Sequence, residues 1–118
     1  MKYLFCVFSI VLIMTVNIQG AFSKDFRYHK SVSLNVGQSL VLKGVRSRDC
    51  DDKAPSWSHI KKRLPSSSTG KFSDGGAGTV KSSSCGGRVG ARGILFTAEK
   101  LGKEQLSIFG DDVRISVR

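Results

Sequence analysis

The sequence predicts an all-β fold, an antiparallel sandwich of about seven strands with a long Gly/Ser-rich loop and one disulfide. Three observations predict it. Apolar and polar residues alternate with period two near the start, at Val32, Leu34 and Val36, and again through three segments near the end. Short glycine- or aspartate-bearing turns separate those late segments at hairpin spacing. No stretch has a βαβ pattern, and 118 residues are too few for a doubly wound dinucleotide domain or a (β/α)8 barrel.

In chain order, residues 1–23 read as an export leader. Lys2 gives a positive start, and Tyr3 to Met14 is an almost unbroken apolar run, shorter than the ~20 residues that span a bilayer as a helix. Gly20, Ala21 and Ser23 offer cleavage after residue 20 to 23. Residues 24–118 then form a single domain of roughly 95 to 98 residues, secreted or periplasmic, with no transmembrane segment in the mature chain. Cys6 leaves with the leader, so Cys50 and Cys85 remain as a pair. In an exported chain that pair predicts a disulfide, closing a loop on the order of 35 residues.

Residues 24–30 read as a charged lead-in. Ser31 to Val36 alternates as a half-buried strand, Gly37-Gln38 turns, and Ser39 to Lys43 continues as an extended run. Residues 44–53 are polar. Between Pro55 and Pro65, Trp57, Ile60 and Leu64 have helical spacing, with Ser56 as a cap. A helix this short is marginal without packing, so the segment reads in preference as a strand or irregular stretch anchored by Trp57. Residues 65–93 hold eight of the 13 glycines and seven serines, with few large apolar groups, and read as surface loop. Ile94, Phe96 and Ala98, then Leu106 and Ile108, then Val113, Ile115 and Val117 mark three closing strands.

The formal charge is +10, with 19 Lys and Arg against nine Asp and Glu, and falls to +9 when Lys2 leaves with the leader. So basic a small body suits an anionic protein, glycan or membrane-surface partner, while export separates it from most nucleic acid. The candidate partner-binding residues are Arg46, Arg48, Trp57, Lys61, Lys62, Arg63, Lys71, Lys81, Arg88 and Arg92. A Cys50–Cys85 bridge would gather several of them at one end as a cationic patch. Arg grips oxyanions through its planar fork, and glycine lets backbone amides approach an anion. Trp57 reads first as a core residue and second as a ligand platform.

No catalytic group, cofactor or metal is expected. His29 and His59 are the two histidines; Ser56, Ser58 and His59 lie close in sequence, but no Gly-x-Ser-x-Gly elbow accompanies them. Asp49, Asp51 and Asp52 sit among Arg46, Arg48 and Lys53, which repel a cation, so these acids read as turn formers, as do Asp111 and Asp112.

The frame Ser33-Leu34-Asn35-Val36-Gly37-Gln38-Ser39-Leu40-Val41-Leu42, with the later run Gly93 to Ile108, resembles exported immunoglobulin-like domains. Within them it is most similar to chagasin-type inhibitors of papain-family cysteine proteases. Val36-Gly37-Gln38 matches their opening turn, and Phe96, Ala98, Gly102 and Leu106 match a late F-x-A-x-x-x-G-x-x-x-L element. The resemblance implies an immunoglobulin-like sandwich and, as an alternative function, inhibition of an exported or host enzyme such as a papain-like protease. It covers framework alone. Arg46 to Asp52 stands where the family has N-P-T-T-G, Phe109 to Asp112 stands where it has R-P-W, and Asp74-Gly75-Gly76-Ala77-Gly78 is the counterpart of its glycine-rich loop. The leading expectation is a non-enzymatic exported binding module.

Overall fold

The computed structural model describes residues 24–118; the expected leader, residues 1–23, lies outside the described residues. The architecture is a β-sandwich of seven strands in two sheets. The strands are β1 (Lys24–Asp25), β2 (Ser31–Leu34), β3 (Ser39–Arg46), β4 (Gly70–Ser82), β5 (Gly87–Ala98), β6 (Gly102–Ile108) and β7 (Asp111–Val117), with one helix, α1 (Trp57–Lys61). One sheet has the order β1-β4-β5-β3 and the other β2-β7-β6.

The alternating residues face inward as the pattern predicts, except Val36, which lies past the end of β2 and is exposed. Val32, Leu34, Leu106, Ile108, Val113, Ile115 and Val117 of the smaller sheet pack against Leu42, Ile94, Phe96 and Ala98 of the larger. Leu42 is an extra residue in β3, because Val41 pairs with Leu95 while Lys43 pairs with Ile94. This bulge buries two consecutive side chains, Leu42 and Lys43. The Lys43 ammonium donates to the carbonyls of Ile108 and Phe109 (both 3.3 Å) and to Asp111 Oδ2 at 2.7 Å. A buried lysine thus ties the larger sheet to the β6–β7 turn, with its charge paired as burial demands.

Three expectations are corrected. Two strand pairs are parallel, β1 with β4 and β2 with β7, so the sandwich is not wholly antiparallel. Both involve the N-terminal segment, which crosses from one sheet to the other and pairs with strands far along the chain, as parallel pairing requires. The segment at residue 57 is helical. Ser56 caps it, its Oγ accepting from His59 N at 3.3 Å, and fully buried Ile60 supplies the packing that a five-residue helix lacks alone.

The largest correction is at residues 65–93, most of which form the long hairpin β4–β5 and not a surface loop. Its sparse apolar content misled because the burying group comes from elsewhere. Phe26, in the expected charged lead-in, is buried over glycines of three strands. A Cβ at Gly44 would lie 2.8 Å from Phe26 Cδ2, one at Gly78 2.7 Å from Cε2, and one at Gly93 2.8 Å from Cε1. The Gly44 position would also meet Val80 Cγ1 at 2.7 Å, so β3 and β4 approach each other across β5. Glycine is needed there for backbone proximity to a ring.

Glu104 fastens the loop before β4. Partial desolvation pushes its carboxyl pKa up, but hydrogen bonds from the Ser67 and Thr69 hydroxyls and the Ser68 and Thr69 backbone amides outweigh this and bring it from 4.5 to about 2. Because the folded pKa lies below the unfolded one, the stabilisation is complete above pH 4.5 and is lost as pH falls towards about 2. Acid titration of urea stability should show that loss, and Glu104→Gln should lower stability at neutral pH while flattening the same interval. Phe26→Ala should cost about 3 kcal/mol in urea unfolding. Gly44→Ala should cost about 1 to 3 kcal/mol by overpacking. Combined, they should cost less than their sum, because the new methyl enters space the ring vacated.

Candidate functional site

At the end of the sandwich carrying α1, an open cleft of about 1020 Å³ lies between three segments. One wall is the end of β3 and the loop after it, with Arg46 and Arg48; another is α1 and its flanks, with Pro55, His59 and Arg63; the third is the β4–β5 hairpin end, Val80 to Ser84. Phe26, Tyr28 and Phe109 add aromatic surface.

The walls are held together covalently and by hydrogen bonds. Cys50 and Cys85 form the expected disulfide, with Cα atoms 5.5 Å apart, joining the loop after β3 to the hairpin end. The loop then folds onto β5: Gly90 N donates to Asp51 O at 2.8 Å, and Ser47 N donates to Gly90 O at 3.1 Å. A Cβ at position 90 would lie 2.3 Å from the Asp52 carbonyl oxygen, so this overlay requires glycine. Arg46 spans the gap, donating through Nη1 to Ser47 O at 2.7 Å and through Nη2 to Ser84 Oγ at 3.4 Å. Arg63 lies over the Phe109 ring, 5.0 Å from its centroid, which holds a second guanidinium in place.

The ten candidate residues divide in the structure. Arg46, Arg48, Arg63 and Lys81 line the cleft, and none of the four is in an ion pair among the described residues. Lys71, Arg88 and Arg92 lie outside it and are paired: Lys71 with Glu99 at 3.5 Å, Arg88 with Asp25, and Arg92 with Asp74 at 3.2 Å. Arg92 Nε also donates to Pro55 O at 2.8 Å, bracing the approach to α1. Trp57 is half-buried against the core, while Lys61 and Lys62 are exposed on and just after the helix. The single acid lining the cleft is Asp111, already bound to Lys43.

Several lining groups were not signalled by the sequence. Tyr28 sits in the lead-in, and Ser82 to Ser84 in a stretch read as loop. Phe109 occupies a turn at φ 48°, a backbone region seldom given to a bulky residue, yet its ring carries Arg63. Arg46 and Arg48 of the loop after β3 and Phe109 and Asp111 of the β6–β7 turn border this end, whereas Asp74 to Gly78 lies at a bulge inside β4. Ser56 and Ser58 share a hydrogen bond of 3.3 Å and serve the helix cap. Among the described residues, no three His, Cys, Asp or Glu side chains converge as metal ligands, and no helix is long and apolar enough to cross a membrane.

Replacing both Cys50 and Cys85 with Ser should lower unfolding free energy by about 3 to 4 kcal/mol, from the freed loop of 35 residues. Urea unfolding followed by circular dichroism measures it. No protein-family model, curated protein or solved structure matches this chain, and its function is therefore argued from the cleft.

Proposed function

We propose that this protein is a secreted or periplasmic, non-enzymatic binding module that engages an anionic protein, glycan or membrane surface through the cleft beside α1. The supporting observation is the division of its cations. Arg46, Arg48, Arg63 and Lys81 share one concavity whose single carboxylate, Asp111, is already taken by Lys43, while the candidate residues Lys71, Arg88 and Arg92, outside it, are each paired with an acid. Like charges held close repel one another, and a concave site concentrates their field, so an anion entering the cleft relieves the repulsion and gains from the focused potential. Arg46 and Arg63 are pre-oriented by Ser84 and Phe109, which reduces the ordering cost of binding. The disulfide fits an oxidising compartment.

Binding to a polyanionic surface, measured by biosensor, should weaken steeply as salt rises and the Debye length shrinks from about 10 Å at 0.1 M towards 3 Å at 1 M. Arg46→Glu with Lys81→Glu should lower affinity at least about tenfold. Lys71→Glu with Arg88→Glu, an equal change in net charge outside the cleft, should change it by less than about twofold. Equal losses from the two pairs would show that overall charge, not the cleft, governs binding.

A further inference from the structure

Resting on the anion-binding reading, we propose that the cleft accommodates an internal stretch of an acidic oligosaccharide, whose sugar rings carry sulfate or carboxylate groups. Three features select sugar over other anions. The volume, about 1020 Å³, stands at the upper end of the ~300–1,000 Å³ range of small-molecule pockets, so several rings fit and a lone ion leaves it largely empty. The cleft is open, which lets a polymer enter without a free end.

The second feature is the mixture of donors with an aromatic face. Cations provide for the oxyanions, and the hydroxyls of Ser83 and Ser84 at the exposed hairpin end suit the hydroxyls of a sugar. Tyr28 is 45% exposed, and its hydroxyl donates to the Asp112 carbonyl, which fixes the ring's direction. An oriented, half-exposed aromatic ring suits the apolar C–H face of a pyranose. The third feature weighs against an extended acidic peptide. Such ligands commonly add to a free strand edge, but on the β3 edge leading into the cleft the Leu42 carbonyl already accepts from His29 N at 2.9 Å. A nucleic acid partner fits poorly with the disulfide and the compartment it implies.

The test is calorimetric titration of residues 24–118 at about 0.15 M salt, near physiological screening. The probes are a heparin hexasaccharide, hexagalacturonate, neutral cellohexaose, a hexaglutamate peptide and a single-stranded hexanucleotide. One or both acidic hexasaccharides should bind at least about tenfold more tightly than every other probe. The sulfated and uronate arms distinguish which oxyanion is preferred. Tyr28→Ala should weaken sugar binding about fivefold, the worth of one aromatic contact, and leave hexaglutamate unaffected. Tyr28→Phe, which keeps the ring and loses the hydroxyl, should retain most of the affinity, and circular dichroism checks that both variants fold.

If hexaglutamate, the hexanucleotide or cellohexaose matches the acidic sugars, or if Tyr28→Ala changes nothing, the sugar assignment fails. In the first two cases and the last, the electrostatic reading still stands. If no anionic probe binds, both fail together.

Discussion

The close approach of Phe26 to the backbone of three strands is the constraint on which the rest of the molecule depends. A ring seated over Gly44, Gly78 and Gly93 draws β3, β4 and β5 about a common point, and Gly44 and Val80 come together although a strand lies between theirs. Side chains at those glycines would hold the ring off the sheet. With the sheet curved in this way, the far end of the β4–β5 hairpin meets the loop after β3. Cys50 then reaches Cys85, Arg46 reaches Ser84, and a cleft exists between the two segments. The glycine content of the middle of the chain is therefore a packing requirement, satisfied by an aromatic side chain some fifty residues away in the sequence at Gly78.

Charge is organised on the same frame. A protein with 19 basic and nine acidic residues cannot pair all its cations internally. The acids at positions 25, 74 and 99 hold the cations at 88, 92 and 71, all away from the cleft. Asp111 is occupied with Lys43, where the pair joins the two sheets. Four cations that no acid pairs among the described residues, Arg46, Arg48, Arg63 and Lys81, are left together in one concavity, and two of their guanidinium groups are set by a serine hydroxyl and an aromatic ring. Exposed pairs contribute little to stability individually. Their placement shapes the electrostatic field instead.

Much of this fold was legible in the sequence, and the illegible parts share a physical reason. The strands carrying Ile94, Phe96, Ile108, Val113 and Ile115 supply their own inward faces, so alternation revealed them. Around Gly78 of β4 and Gly93 of β5 the hairpin borrows Phe26, a partner that no local window contains. Likewise, Ile60 makes α1 viable through tertiary contact that propensity does not measure. Lys43 read as the polar end of a strand because a bulge at Leu42, invisible in the sequence, turned it inward. Of the candidate cations, Arg46, Arg48, Arg63 and Lys81 converge while Lys71, Arg88 and Arg92 do not. Residue type indicated an anionic partner; topology decided which residues share a site.

The parallel pairing of β2 with β7 couples residues 31–34 to residues 114–117, nearly the full length of the domain apart. Contacts of such long sequence separation form slowly, because closing the intervening loop must precede any gain from the pairing. The smaller sheet therefore cannot be completed until its final strand has emerged, whatever the earlier segments have already built. A chain arranged this way leaves Ser31–Leu34 without its neighbouring strand until residues 114–117 are made.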